Sequence, residues 1–190
     1  MNATVLNKHF SPAYGVGFTL IELIVSVTVI AVLLILALPA FQSLLMNDRV
    51  MAAKDALANS LNYARNAALS QNVTVIVCPF NSLNSTTCGS NWQRGWIVVT
   101  QPAGGNSVLL QANAAAANDP AISSIAVNGV AAASVSFDTR GIATTQANFK
   151  VCDSRGGAFA HSVEVLPTGF VQSGSTVGRA VWDGGALACP

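Results

Sequence analysis

Charge is the scarcest property of this chain. Only 9% of its 190 residues are Asp, Glu, Lys or Arg, against about 25% in an ordinary soluble domain. Neither sign prevails: nine basic and eight acidic side chains leave a formal net charge of +1. That excludes a disordered chain held open by its own charge. It excludes an acidic solvating tail and a broad basic face for nucleic acid as well. Histidine is scarcer still, with only His9 and His161. The four cysteines, Cys78, Cys88, Cys152 and Cys189, are spaced 10, 64 and 37 apart, without the close C-x2-C pairs of a zinc site. Gly15-Val16-Gly17 comes after no strand and has no glycine continuation, so it is not a dinucleotide fingerprint. There is no phosphate loop, and no Ser or Cys has a recognisable base partner. The carboxylates Asp119, Asp138, Asp153, Glu164 and Asp183 are scattered beside turns. The chain therefore gives no case for an enzyme and implies no cofactor and no metal. His161, alone on a predicted strand, reads as a packing or surface residue.

Long apolar runs are absent too, except at one place. Hydrophobic residues make up 52% of the chain, but they are not spread as they would be in a multi-span membrane protein. Between Phe10 and Asn47 the one charged side chain is Glu22, and residues 18–45 read FTLIELIVSVTVIAVLLILALPAFQSLL. As a helix this stretch is about 42 Å long, enough to cross a hydrocarbon core of about 30 Å. No later stretch qualifies. A secretory signal has a shorter apolar core of about 7–15 residues, and it carries no carboxylate near its start.

The apolar stretch runs without a stop signal into an amphipathic one. Val50, Leu57, Leu61, Ala64 and Ala68 share one helical face, so one helix is predicted from Phe18 to Ser70, roughly 80 Å long. A domain of this size cannot bury that whole length. Lipid, or copies of similar helices, must cover the apolar half. After Asn72 the texture changes to short β-branched runs between turn residues. Strands are predicted over Val73–Phe80, Trp96–Thr100, Ser107–Gln111, Ala121–Val127, Val130–Phe137, Asn148–Cys152, Phe159–Val165 and Gly178–Trp182. Asn128-Gly129 is a hairpin signal, and Thr139-Arg140-Gly141, Arg155-Gly156-Gly157 and Pro167-Thr168-Gly169 are further turns. Gln111–Asp119, QANAAAAND, reads as a flexible loop. The expected fold class is α+β, with the apolar half of a long N-terminal helix protruding and a C-terminal antiparallel β-sheet domain packed on its second half. The expected divisions are 1–17, 18–45, 46–71 and 72–190.

All four cysteines fall in the β-rich part. Four cysteines allow three connectivities. Cys78–Cys88 would close a short Asn/Ser/Thr-rich loop, and Cys152–Cys189 would tie the last residues back onto a strand. Disulfides imply an oxidising compartment, in accord with an N-terminal segment that exports the β-rich part.

Glu22 is the residue that a plain membrane anchor does not explain. An acid in a membrane segment costs about 2–3 kcal/mol or more, so its default reading is functional. Gly17-Phe18-Thr19-Leu20-Ile21-Glu22-Leu23 resembles the processing site of type IV prepilins and type II secretion pseudopilins. The resemblance implies that Met1–Gly17 is a leader, cut between Gly17 and Phe18 by a prepilin peptidase that then methylates the new Phe18 amine. It implies that Glu22, fifth in the mature chain, pairs with a neighbouring subunit's N-terminal amine. It also implies that Pro39 marks where the helix bends or melts in a filament. Physics points the same way. A rigid helix holds Glu22 away from its own amine, but a staggered neighbour brings an amine to it, and an unpaired charge there would be costly. Pro39 removes one backbone donor.

The β-rich part resembles the GspH/FimT family of minor pilins and pseudopilins. The resemblance lies in Asn91-Trp92-Gln93-Arg94-Gly95-Trp96-Ile97-Val98-Val99, in Phe149–Gly156 (FKVCDSRG) and in Gly178-Arg179. It implies a low-copy structural subunit of a type IV pilus, near the tip, that helps start assembly and joins other minor pilins. The alternative is a minor pseudopilin of type II secretion. The implied partners are major and minor pilins, the prepilin peptidase and the bacterial inner membrane. The implied location is that membrane first, then a filament in the periplasm or outside the cell. Some members bind DNA for transformation through a late Gly-Arg-x-Arg. Here Arg179 is followed by Ala180-Val181, so the second Arg is missing. Arg94, Arg140, Lys150, Arg155 and Arg179 are balanced by five carboxylates. Arg179 is the residue a DNA contact would use, and DNA is the weaker partner. Intact mass of protein extracted from membranes should equal Phe18–Pro190 plus one methyl group; a retained Met1–Gly17 in cells with active peptidase would refute the leader.

Overall fold

The computed structural model describes residues 17–82, 84–115 and 119–189. Residues 1–16, which are most of the expected leader, and residues 116–118 of the Ala-rich stretch lie outside the described residues. The chain divides between Gln42 and Ser43 into two units. One helix, α1 (Leu20–Gln71), crosses that division.

Local signals fix both ends of α1. At its start the Thr19 hydroxyl accepts a hydrogen bond from the Glu22 amide at 3.3 Å. Thr-x-x-Glu is the capping-box pattern, and Glu22 is the acid of the first turn, where the helix dipole favours negative charge. At the other end Asn72 adopts φ 52° and the Val73 amide bonds back to the Ala68 carbonyl. This is a left-handed cap of the kind Asn tolerates.

In the second unit the helix buries one stripe. Val50, Leu57, Leu61, Ala64 and Ala68 are all at most 1% exposed, as the periodicity requires. Two antiparallel sheets close over this stripe, where a single sheet was expected. The first has the order β3 (Leu109–Ala114), β2 (Gly95–Gln101), β1 (Thr74–Pro79), β6 (Val135–Phe137). The second has the order β5 (Val130–Ala131), β4 (Ala121–Val127), β7 (Ala147–Cys152), β8 (His161–Val165), β9 (Val171–Ser173). Alternation along each strand sends one set of side chains inward. Val75, Val77, Trp96, Val98, Val135 and Phe137 from the first sheet meet Ile122, Phe149, Val151, Val163 and Val165 from the second, in one core with the helix stripe. Trp92 joins the layers. Its ring stands edge-on to Phe149, centroids 4.8 Å apart, and its indole N–H donates to the Ala132 carbonyl at 2.9 Å. Gly95 is needed beside it: φ is 114°, and a Cβ there would lie 2.1 Å from the Asn113 carbonyl oxygen. Ser60 links helix to sheet, donating to the Ala56 carbonyl and accepting from the Asn113 amide.

Each sheet has a smaller cluster on its outer face. Cys78, Phe80, Ile97 and Val99 form one, beside the Cys78–Cys88 disulfide. Cys152, Ala160, Ala180 and Leu187 form the other, beside the Cys152–Cys189 disulfide.

Three strand expectations and one loop expectation need correction. Val130–Phe137 is not one strand: Asn128 and Gly129, both at positive φ, turn β4 into β5, and the chain then leaves that sheet and supplies β6 to the other. Gln111–Ala114 is not loop, because pairing with β2, Trp96 opposite Asn113 and Ile97 opposite Ala112, overrides its weak propensity. Phe159 belongs to a 3-10 turn, and the strand starts at His161. Gly178–Trp182 is not a strand. It crosses the outer face of the second sheet through turns at Gly178 and Gly184, both at positive φ, with a single bridge between Arg179 and Ala186. Leu61→Ala should cost about 3 kcal/mol, as for other fully buried leucines. Denaturant unfolding of the detergent-solubilised chain checks this; a loss below about 1 kcal/mol would mean the stripe is not the core.

Candidate functional site

In the first unit the candidate site is a helix surface. Gly17 and Phe18 are exposed just before α1, Phe18 at 81%. From Leu20 to Leu45 every described residue is exposed in the isolated chain, including Ile21, Leu23, Ile30, Leu33 and Leu36. The hydroxyls inside this surface are satisfied within the helix: Ser26 donates to the Leu23 carbonyl and Thr28 to the Val25 carbonyl. That leaves Glu22 as the one acidic or basic side chain of this surface, and among the described residues it has no ion-pair partner. By length and composition α1 is long and apolar enough to cross a membrane. Pro39 lies inside it, where it withholds one backbone donor and weakens the helix.

The second unit holds the remaining candidates. Cys78 is bonded to Cys88 and Cys152 to Cys189. Arg179 is exposed. It lines a cleft of about 400 Å3 with Gly174, Ser175, Thr176 and Gly184, and its guanidinium donates to the Gly184 carbonyl at 3.3 Å. The other cations of the β-rich part are largely engaged: Arg140 with Asp138, Arg155 with Asp153, and Lys150 with the Ala188 carbonyl. Among the described residues no group of three or more His, Cys, Asp or Glu is placed to hold a metal. Glu22 and Pro39 belong to the first unit; the cysteines and Arg179 belong to the second.

These features fit what the chain is similar to. The family model of the type II transport protein GspH matches residues 53–169, more than half of the chain. The chain belongs to the GspH family. The crystal structure of the type IV minor pilin FimU from Pseudomonas aeruginosa PAO1 in space group P21 superposes with a TM-score of 0.53, at 18% identity, covering 70% of this chain and 95% of that one. A second crystal form of FimU, in space group P65, gives a TM-score of 0.51 at 17% identity, covering 69% and 98%. At that identity the likeness establishes the fold. No curated protein matches the sequence. Family and fold together place the chain in the GspH family with the fold that the FimU structures share.

Sequence reading missed a repeated device, one copy of which lies in the FKVCDSRG motif. Asp138-Thr139-Arg140-Gly141 and Asp153-Ser154-Arg155-Gly156 are the same D-x-R-G turn used twice. In each, the Asp Oδ1 accepts the Arg amide, at 2.9 and 3.0 Å, and the Asp Oδ2 takes the guanidinium. The Gly amide returns to the Asp carbonyl, and the Gly lies at φ 71° or 93°. The Asp138 carboxyl is held below its usual range, first by the Ile142 amide and then by Arg140. Both turns touch α1. Arg65 of the helix donates to the Gly141 carbonyl at 3.0 Å, and Arg155 donates to the Ser43 carbonyl at 3.3 Å. The spacing of the two motifs was legible; which helix residues they touch was not.

His161 faces the core from β8, 7% exposed, with Nδ1 lacking a partner. Burial, and then the positive charge of Lys54, push its pKa below the ordinary 6.5. As the pH falls through about 6.5 the unfolded chain takes up a proton that folded His161 refuses, so stability falls towards the lowered folded pKa. His161→Gln should therefore lose less stability between pH 7.5 and 5.5 than the parent chain does, measured by thermal melting at both pH values. An equal loss in both proteins would show that His161 does not contribute.

Proposed function

We propose that this chain is a low-copy minor pilin of a type IV pilus, placed near the tip, where it helps start assembly and joins other minor pilins to the shaft. The observation that carries the reading is the exposed apolar surface of α1 with a single carboxylate, Glu22, in its first turn. Two settings cover such a surface. In the inner membrane it spans the bilayer. In a filament it packs among similar helices, and Glu22 neutralises the amine of a neighbour's Phe18. That amine exists once the leader is cut after Gly17, and methylation leaves it cationic. A positive charge at a helix N-terminus opposes the macrodipole, so a neighbouring carboxylate relieves two costs at once. Pro39 gives the helix a place to bend as subunits stagger.

The alternative is a type II secretion pseudopilin, favoured by the name of the matching family model. The likeness to FimU in fold favours the pilus. DNA uptake has one observation on its side, the exposed Arg179 in its cleft beside Ser175 and Thr176. Against it, Arg140 and Arg155 are already neutralised by their own aspartates. Non-specific DNA binding needs several phosphate contacts.

Deleting the gene should abolish surface pili and leave secretion of folded exoproteins intact. Complementation with the parent gene should restore pili. Complementation with Glu22→Ala should give a protein whose β-domain melts as the parent does but whose incorporation falls about tenfold or more, as expected for removing one partner of a desolvated ion pair. Normal piliation with lost secretion would move the chain to the secretion machine. Normal incorporation of the Glu22 variant would end the amine-pairing role.

A further inference from the structure

The two D-x-R-G turns provide an internal comparison. Four hydrogen bonds within Asp-x-Arg-Gly recur in both, and the first turn adds the Ile142 amide on Asp138 Oδ1. The bonds between Asp, Arg and Gly therefore do not distinguish the two. Their arginines differ. The Arg140 side chain is 76% exposed, and among the described residues its guanidinium bonds to Asp138. The Arg155 side chain is 17% exposed and its Asp153 partner 2%. Burying an ion pair this deeply costs desolvation that turn formation does not require, since Asp138 forms the same turn half-buried, with Arg140 largely in solvent. What Arg155 has in addition is a third direction. Nε and Nη2 are taken by Asp153, the guanidinium lies 4.3 Å from the centroid of the Phe159 ring, and Nη1 reaches the Ser43 carbonyl of α1. A planar fork can serve a carboxylate on one edge and a carbonyl on the other; an ammonium cannot.

The place where it reaches matters. Val50 is the first residue of α1 that is fully buried, and Ser43 lies about two turns before it. Ser43 is also about one turn after Pro39, where the helix lacks a backbone bond. Cys152, next to Asp153, is bonded to Cys189, so the turn that carries Arg155 is itself tethered.

We propose that Arg155 is a positioning residue for assembly. It clamps α1 at Ser43, so that unwinding which begins at Pro39 stops there and does not run on towards the buried stripe. The consequence for filaments rests on the subunit role proposed above; the clamp itself does not.

Hydrogen–deuterium exchange of the full chain in detergent micelles tests it, on the parent, Arg155→Ala, Arg155→Lys and Arg140→Ala. Arg155→Ala should raise exchange of the amides in residues 40–49 about tenfold, the worth of one charge-assisted hydrogen bond, while β7 and β8 keep parental exchange. Arg155→Lys keeps a cation beside buried Asp153, so it should fold even if the alanine variant does not, and it should show the same local rise. Arg140→Ala should leave residues 40–49 unchanged. The clamp is overturned if residues 40–49 exchange at the parental rate in the lysine variant. It is also overturned if β7 and β8 rise equally, or if Arg140→Ala matches Arg155→Ala. Failure of Glu22→Ala to affect piliation would remove the filament reading and leave the exchange result standing, so the two are separable.

Discussion

The structure depends on one helix having to satisfy two environments. From Val50 to Ala68 its apolar stripe is covered by its own chain; from Leu20 to Leu45 its apolar residues are exposed in the isolated subunit. Each large aliphatic side chain left in water forfeits about 1.5–3 kcal/mol. More than a dozen such residues make the uncovered half untenable in water by tens of kcal/mol. No rearrangement of a domain this small could cover it. Lipid or other helices must, and the rest of the chain is arranged around that need. The covered stripe mixes leucines with alanines, and Ala64 and Ala68 leave little bulk between the helix and the sheets on it.

Two sheets on one helix leave two outer faces with little apolar area, and there the chain relies on covalent ties. Four residues make up each outer cluster. Such clusters cannot outweigh the entropy of ordering a loop or a tail, which runs at about 1–2 kcal/mol per residue for backbone alone. Each disulfide borders one cluster. Cys152–Cys189 holds a tail that, among the described residues, has no strand of its own after Ser173. The tail is otherwise pinned by side-chain bonds, with Ser162 between the Arg179 carbonyl and the Val181 amide, and Lys150 on the Ala188 carbonyl. The sheet face beneath is largely polar, so the tail adds to the domain without being its core.

How much could be read from the sequence depends on range. The helix was legible because a long apolar run and a 3.6-residue period are local facts: the stripe from Val50 to Ala68 speaks through near neighbours, whereas the caps at Thr19 and Asn72 emerged with the structure. The Asn128-Gly129 hairpin was legible for the same reason. The two-sheet division was not, because Val130–Phe137 carries one strand-like pattern, and its split depends on which sheet each half meets. The segment Gly178–Trp182 looked like a strand by composition, but its glycines and Ser162 beneath it hold it as a crossing tail. At the candidate site Glu22 and Pro39 stood out because they violate a local rule, an acid and a proline in an apolar helix. Arg155 broke no rule. Its reach to Ser43 is a contact across more than a hundred residues of sequence, which no spacing announces.

The scarcity of charge, seen at the level of contacts, explains the kind of recognition this chain is built for. Asp138 and Asp153 spend their charge on arginines two residues away, and Lys54 pairs with its neighbour Asp55. Lys150 is used to hold the tail. Among the described residues, Arg94 and Arg179 are the exposed cations of the β-rich part outside any ion pair. They are too few for a phosphate-binding face, whose affinity grows with the number of neutralised phosphates. Charge in this chain shapes turns and fixes the helix. Between Leu20 and Leu45, what α1 offers on the subunit reading proposed above is apolar surface and one carboxylate, Glu22, at its start. A surface of that composition gains little from attraction at a distance and much from alignment. On the subunit reading proposed above, shape and register, set by the helix and by where it can bend at Pro39, carry the recognition.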